Sequence, residues 1–204
     1  MKILLIHGLS RTPLSLIALE HYLQQRGSKT ELFGYLAFAE TFDAIIERLR
    51  LRLQIIANQG SYCIVTHSLG ALLARAVLGE TPLKEPQHIV MLGPPNQLPR
   101  LALSAWQLPP FRWWTGQCGF NLTNPTFFAS LPKPQSPYTI IAGIGGPRGF
   151  WSPFGDEPND GIVALSETRL SQEDTIIQLP VIHTFMMNNK RVQQQVGQVL
   201  SLES

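Results

Sequence analysis

The hydrophobic pattern opens on a short, continuously apolar run, Lys2–Ile6, which predicts a strand covered on both faces. Pro13 stands where a first helical turn begins, and Thr12 before it is a candidate cap. Leu16, Leu19 and Leu23, with Ala18 and Tyr22 beside them, give a helix over about 13–26 its apolar face, and Gly27 stops it. Lys29–Gly34 is a second strand by position. Phe42, Ile45, Ile46, Leu49, Leu53 and Ile56 recur at helical spacing within a helix over about 39–58, ended by Gly60. Tyr62–Thr66 is a third strand, Leu69–Leu78 an Ala- and Leu-rich helix, and His88–Leu92 a fourth strand bounded by Pro86 and Gly93. Gly93–Pro137, with nine prolines and many aromatic residues, reads as irregular. Tyr138–Ala142 and Thr175–Leu179 complete six strands, and Met186–Leu200 predicts a terminal helix.

Strands alternating with helices predict an α/β layer architecture, a mostly parallel sheet with helices on both faces. No internal repeat or low-complexity tract divides the chain. The expectation is one domain over 1–204, with 93–137 as an aromatic-rich cap or lid-like insertion. A length of 204 residues suits one domain and a substantial core without disulfides or a structural metal.

Composition removes several function classes. The net charge is +2, and Arg48, Arg50 and Arg52 beside Glu47 read as a solvated helix face, so nothing points to nucleic acid. Two cysteines, Cys63 in a strand and Cys118 in the irregular segment, are too few for a disulfide framework or a thiolate metal cluster. Four apolar residues after Lys2 fall short of a signal peptide, and no run reaches the length of a membrane span, so a cytoplasmic location is expected. Gly143–Gly149 lacks the lysine and the Ser or Thr of a nucleotide-binding loop.

The chemistry concentrates at Thr66-His67-Ser68-Leu69-Gly70, between an apolar strand and an Ala-rich helix. A serine on a sharp strand-to-helix turn holds its hydroxyl out over the sheet, provided that the residues two before and two after are small. Gly70 meets that demand; Thr66 is bulkier than the usual glycine. The bland reading is a serine that merely caps the helix. A serine nucleophile needs a base oriented by an acid. His183, in a loop between the sixth strand and the terminal helix, is the histidine placed to reach back. His67 is expected to be directed elsewhere by the turn, His88 to be structural, and His7 to shape its loop. For the acid, Asp160 has rivals in Asp156, Glu157 and Asp174. The turn-forming neighbours Asn159 and Gly161 favour Asp160, against the plain reading of a surface turn. Two backbone N–H groups must receive the developing oxyanion: Leu69, at a helix N-terminus, and Leu9, after His7-Gly8.

These residues resemble the α/β-hydrolase superfamily, and within it the small lipase- and esterase-like members. The likeness runs from His7-Gly8-Leu9 through Thr66–Gly70, Leu92-Gly93-Pro94-Pro95-Asn96 and Asn159-Asp160-Gly161 to His183. It implies a Ser68, Asp160, His183 triad with Leu9 and Leu69 as the oxyanion hole, hydrolysing carboxylic esters through an acyl-enzyme without a cofactor. Thr66 departs from the family glycine, and the sheet begins at the third strand of the full fold, as in minimal members. A small acyl ester or lipid is the expected substrate, with transient membrane-surface contact and no transmembrane segment. Trp106, Phe111, Trp113, Trp114, Phe120, Phe127 and Phe128 are expected to cover the site or to pack inward, and Phe150, Trp151 and Phe154 to wall it beside Asp160. The same machinery would serve a thioesterase, amidase or acyltransferase. A non-catalytic lipid- or acyl-group-binding protein is the alternative of a different class.

Overall fold

The computed structural model describes residues 1–80 and 83–202. Six strands, β1 (Lys2–Ile6), β2 (Lys29–Phe33), β3 (Tyr62–His67), β4 (His88–Leu92), β5 (Tyr138–Gly143) and β6 (Ile176–Leu179), form one sheet in the order β2-β1-β3-β4-β5-β6. Every neighbouring pair is parallel. The central strands are apolar on both faces because helices cover both. On one side, Leu4, Ile6 and Ile64 pack under α2 (Phe42–Asn58) and α3 (Leu69–Glu80). On the other, Ile3, Leu5 and Val65 pack under α1 (Ile17–Gln24) and α7 (Lys190–Val199). Each fully buried Leu or Ile contributes about 1.5–3 kcal/mol of transfer free energy.

The strand order fixes where a site can form. From β1 the chain passes to β2 on one side of the sheet and then returns across β1 to β3. Helix α1, which follows β1, and α3, which follows β3, therefore lie on opposite faces, and a crevice opens between the carboxyl ends of these adjacent strands. The register brings Ile6 level with Thr66, and His67 level with Leu92, at that edge.

Several boundaries differ from the sequence pattern for local reasons. Pro13 lacks an N–H, and Pro13–Leu16 takes the tighter 3-10 form. The Thr12 side chain caps nothing, and α1 proper starts at Ile17. Helix α2 starts at Phe42 because Thr41 Oγ1 accepts the Ala44 N–H at 3.2 Å. The expected terminal helix is divided: a 3-10 turn, His183–Asn188, precedes α7, which Asn189 caps through Arg191 N–H at 2.9 Å.

The largest departure is 93–137, which holds three helices, α4 (Arg100–Ala105), α5 (Pro109–Asn121, kinked at Gly116) and α6 (Pro125–Ser130). Pro109 and Pro125 start helices instead of breaking them, since a first-turn residue needs no N–H partner. Cys118, within α5, is fully buried against the α2–α3 face, and burial pushes its thiol up to about 12. Both cysteines are free thiols. The end of α6 is held by Arg75 of α3, a buried side chain. Its Nη2 donates to Leu131 O (2.9 Å), its Nε to Pro132 O (3.0 Å) and its Nη1 to Asn96 Oδ1 (3.2 Å). Burial lowers its pKa to about 10, so it stays protonated at neutral pH. Among the described residues no helix is long and apolar enough to cross a membrane.

Candidate active site

Ser68 stands between β3 and α3 with φ of +53°, a left-handed conformation that a non-glycine residue holds only when its surroundings impose it. The imposing contacts are visible on both sides of the turn. Ser68 N–H donates to Leu92 O at 2.9 Å, and Ala71 N–H closes the first turn of α3 on Ser68 O at 2.9 Å. A Cβ at Gly70 would lie 2.6 Å from Ile6 O and 2.9 Å from His7 O, so that position takes no side chain. Thr66, two residues before, is fully buried and fits, its Oγ1 lying 3.4 Å from Val90 O.

His183 reaches the same crevice from the far side. Its Nδ1 lies 2.6 Å from Asp160 Oδ2, and its backbone N–H donates to Asp160 O at 2.9 Å. Both residues are buried. Asp160 is aimed by its own turn. Asn159 Oδ1 accepts the Gly161 N–H, and Asp160 Oδ1 accepts the N–H groups of Ile162 (3.0 Å) and Val163 (2.7 Å). With Oδ1 so occupied, Oδ2 is left for the imidazole. The rival acids lie elsewhere: Asp156 is exposed, Glu157 pairs with Arg100 at 2.6 Å, and Asp174 accepts from Tyr138 and from the Leu170 and Ser171 N–H groups.

The loop after β1 backs directly onto Ser68. A Cβ at Gly8 would lie 2.9 Å from Ser68 Cβ and 2.9 Å from His67 Nδ1. His7 fixes this loop. Tyr35 N–H donates to His7 Nε2 at 3.2 Å, which leaves the ring proton on Nδ1 to donate to Gly8 O at 2.9 Å. The rings of His7 and Tyr35 stack at 4.1 Å, and burial lowers the His7 pKa, keeping it neutral. In a trans peptide the N–H points opposite to the C=O, so anchoring the Gly8 carbonyl also sets the direction of the Leu9 N–H. The Leu69 N–H, at the first position of α3, has no intrahelical acceptor.

His67 departs from expectation. It does not turn away from the crevice: its ring centroid lies 4.7 Å from that of His183, and its Nε2 donates to His183 O at 3.1 Å. It is almost fully buried, its Nδ1 has no hydrogen-bond partner, and burial first, then the nearby His183, holds its pKa well below the ordinary histidine value. Sequence spacing carries no signal of this contact, which joins residues 116 positions apart. His88 is structural, paired through Nε2 with Thr139 Oγ1 at 2.9 Å.

Ser68, His183 and Leu9 line one cavity of about 350 Å³. Leu101, Ala102, Ala105 and Phe111 supply an apolar wall from α4 and α5. Most of the other aromatics do not face it: Trp113 is 80% exposed, Phe150 92% and Trp151 91%, while Phe154 is buried beneath Arg100. Among the described residues no cluster of His, Cys, Asp or Glu is disposed to hold a metal ion.

Neither a family model nor a curated protein sequence matches this chain. Solved structures do. The phospholipase PlaB from Legionella pneumophila is 14% identical with a TM-score of 0.68 over 99% of this chain. This chain spans 58% of the PlaB chain in that structure, and 44% in the structure with thio-NAD. An extracellular α/β-hydrolase from a Paenibacillus species is 14% identical, with a TM-score of 0.63 over 99% of this chain and 98% of its own. RedJ, a thioesterase of the prodiginine pathway in Streptomyces coelicolor, is 14% identical, with a TM-score of 0.62 over 100% of this chain and 90% of its own. The chain has the α/β-hydrolase fold, in a form with a six-stranded, wholly parallel sheet.

Proposed function

We propose that this chain is a serine hydrolase that cleaves carboxylic esters through an acyl-enzyme, in the manner of esterases and lipases. Ser68 is the nucleophile, His183 the general base and then acid, Asp160 the orienting acid, and the Leu9 and Leu69 N–H groups the oxyanion hole. The observation that carries the reading is the 2.6 Å hydrogen bond between His183 Nδ1 and Asp160 Oδ2 on the cavity that Ser68 lines.

Asp160 takes the Nδ1 proton as a hydrogen bond, so the His183 Nε2 lone pair is available as a base. As Ser68 Oγ bonds to the ester carbonyl carbon, its proton passes to Nε2, and the carbonyl electron pair moves onto oxygen facing the two N–H groups. Each such donor is commonly worth a few kcal/mol in the transition state. Collapse expels the alcohol, which leaves with the proton from Nε2. Water then attacks the acyl-enzyme by the same sequence and regenerates Ser68. No cofactor enters the scheme.

The whole of 1–204 acts as one domain in this reading, with 93–137 as its cap. The support is that Leu101, Ala102, Ala105 and Phe111 of that segment wall the cavity, which suits an acyl chain. The exposed Trp113, Phe150 and Trp151 suit transient contact with a lipid surface. A thioester substrate is the second reading, favoured by the similarity to RedJ.

A fluorescent phosphonate that captures activated serines tests the proposal. It is expected to modify the peptide containing Ser68, and Ser68→Ala is expected to lose activated-ester turnover by about 10⁴-fold or more. Wild-type-like turnover in Ser68→Ala overturns it.

A further inference from the structure

The cavity that holds Ser68 is lined mainly by apolar side chains, and among the described lining residues Arg11 alone carries a permanent charge. Among the described residues its guanidinium makes no ion pair. The chain brings it there by a costly local conformation: Ser10, between Leu9 and Arg11, has φ of +54°. That reversal brings residue 11 to the rim of the crevice two residues after Leu9, whose N–H is assigned to the oxyanion. The charge is near enough to the buried His67 to help suppress its protonation. A cation beside low-dielectric walls, paired with no carboxylate among the described residues, interacts strongly with an anion brought to it.

We propose that Arg11 is a specificity-determining residue that receives an anionic group of the substrate, a carboxylate or a phosphate. The preferred ester is then an amphiphile. Its apolar chain lies against α4 and α5, and its oxyanion sits within reach of the scissile carbonyl. The inference rests on the reading of Ser68 as the nucleophile. Arg11 forms no bond in the reaction; it raises the occupancy of correctly oriented anionic esters.

Two matched pairs of substrates test it, each differing by the anionic group alone. The mono-p-nitrophenyl ester of adipic acid is compared with p-nitrophenyl hexanoate, and 1-hexanoylglycerol 3-phosphate with 1-hexanoylglycerol. The readout is the ratio of kcat/KM for the anionic over the neutral member, in the wild-type protein and in Arg11→Gln and Arg11→Lys. The ratio is expected to exceed unity by about tenfold in at least one pair, to fall about tenfold in Arg11→Gln and to be partly restored in Arg11→Lys. The pair that responds identifies the source of the anion. Ratios that are the same in wild type and Arg11→Gln for both pairs overturn the inference, while Ser68-dependent cleavage of the neutral esters leaves the underlying reading standing. Absence of turnover for all four, with Ser68 unmodified by the phosphonate, overturns both.

Discussion

His67 Nε2 donates a hydrogen bond to the backbone carbonyl of His183 at 3.1 Å, so the residue preceding the candidate nucleophile is tied to the candidate base. The two rings are also in contact, with centroids 4.7 Å apart. His67 touches neither the scissile bond nor the proton in the proposed scheme. It acts by holding the main chain from which the imidazole of His183 projects.

Replacing His67 with leucine removes the donor and keeps most of the volume. One net hydrogen bond is worth about 1 kcal/mol, so kcat on an activated ester is expected to fall roughly fivefold with KM little changed. His67→Gln retains an N–H donor of similar reach and is expected to recover most of the loss. Steady-state kinetics of both variants check this; equal kcat in wild type and His67→Leu would mean that the contact positions nothing.

The choice of acid gives a sharper contrast. In Asp160→Asn the carboxylate that fixes the His183 tautomer becomes an amide, and kcat is expected to drop by about 10²–10⁴-fold. Asp156→Asn alters an exposed side chain and is expected to stay within about twofold of wild type. The reverse order of effects, measured side by side on one ester, would reassign the acid.

Stability should respond to mild acid through His7, His67 and His88. Burial lowers all three pKa values below the ordinary 6.5. Well above about pH 6.5 all three are neutral, folded or unfolded. Below it the unfolded chain takes up protons that the folded chain refuses. Stability therefore falls as pH falls from about 6.5, by up to about 1.4 kcal/mol per pH unit for each of His7 and His67 and by less for the half-buried His88. Urea unfolding at pH 7.5 and 5.5 measures the drop, and His67→Gln should reduce it by about a third or more, His67 being the one of the three held well below the ordinary value. An undiminished drop in that variant would assign the effect to other groups.

The sheet was legible because β1, β3 and β4 are buried on both faces and read as unbroken apolar runs, and because Gly60 and Gly93 mark where flanking segments stop. The three helices of 93–137 were not. Helix α5 buries Thr115, Cys118, Gly119 and Asn121 while exposing Trp113 and Trp114, the inverse of an amphipathic pattern, and its kink at Gly116 shifts the period midway. Its prolines looked like breaks and are starts. At the candidate site, Ser68 and Gly70 were marked by one short motif whose geometry is local. The contacts of His183 with Asp160 and with His67 join residues 23 and 116 positions apart, and no local pattern encodes them. Arg11 had no signal either. It follows a polar residue in a loop, and its place at the cavity depends on the left-handed turn at Ser10.

The buried Arg75 has a mechanical consequence. It belongs to α3, the helix that Ser68 initiates, and it grips the carbonyls where α6 ends, so the last helix of 93–137 is latched to the same rod that carries the serine. Opening that latch leaves a buried guanidinium without its carbonyl acceptors, a cost of about 1–3 kcal/mol or more. Helix α6 and the helix behind the nucleophile therefore melt as one cooperative unit, and hydrogen exchange in α6 should keep step with that in α3.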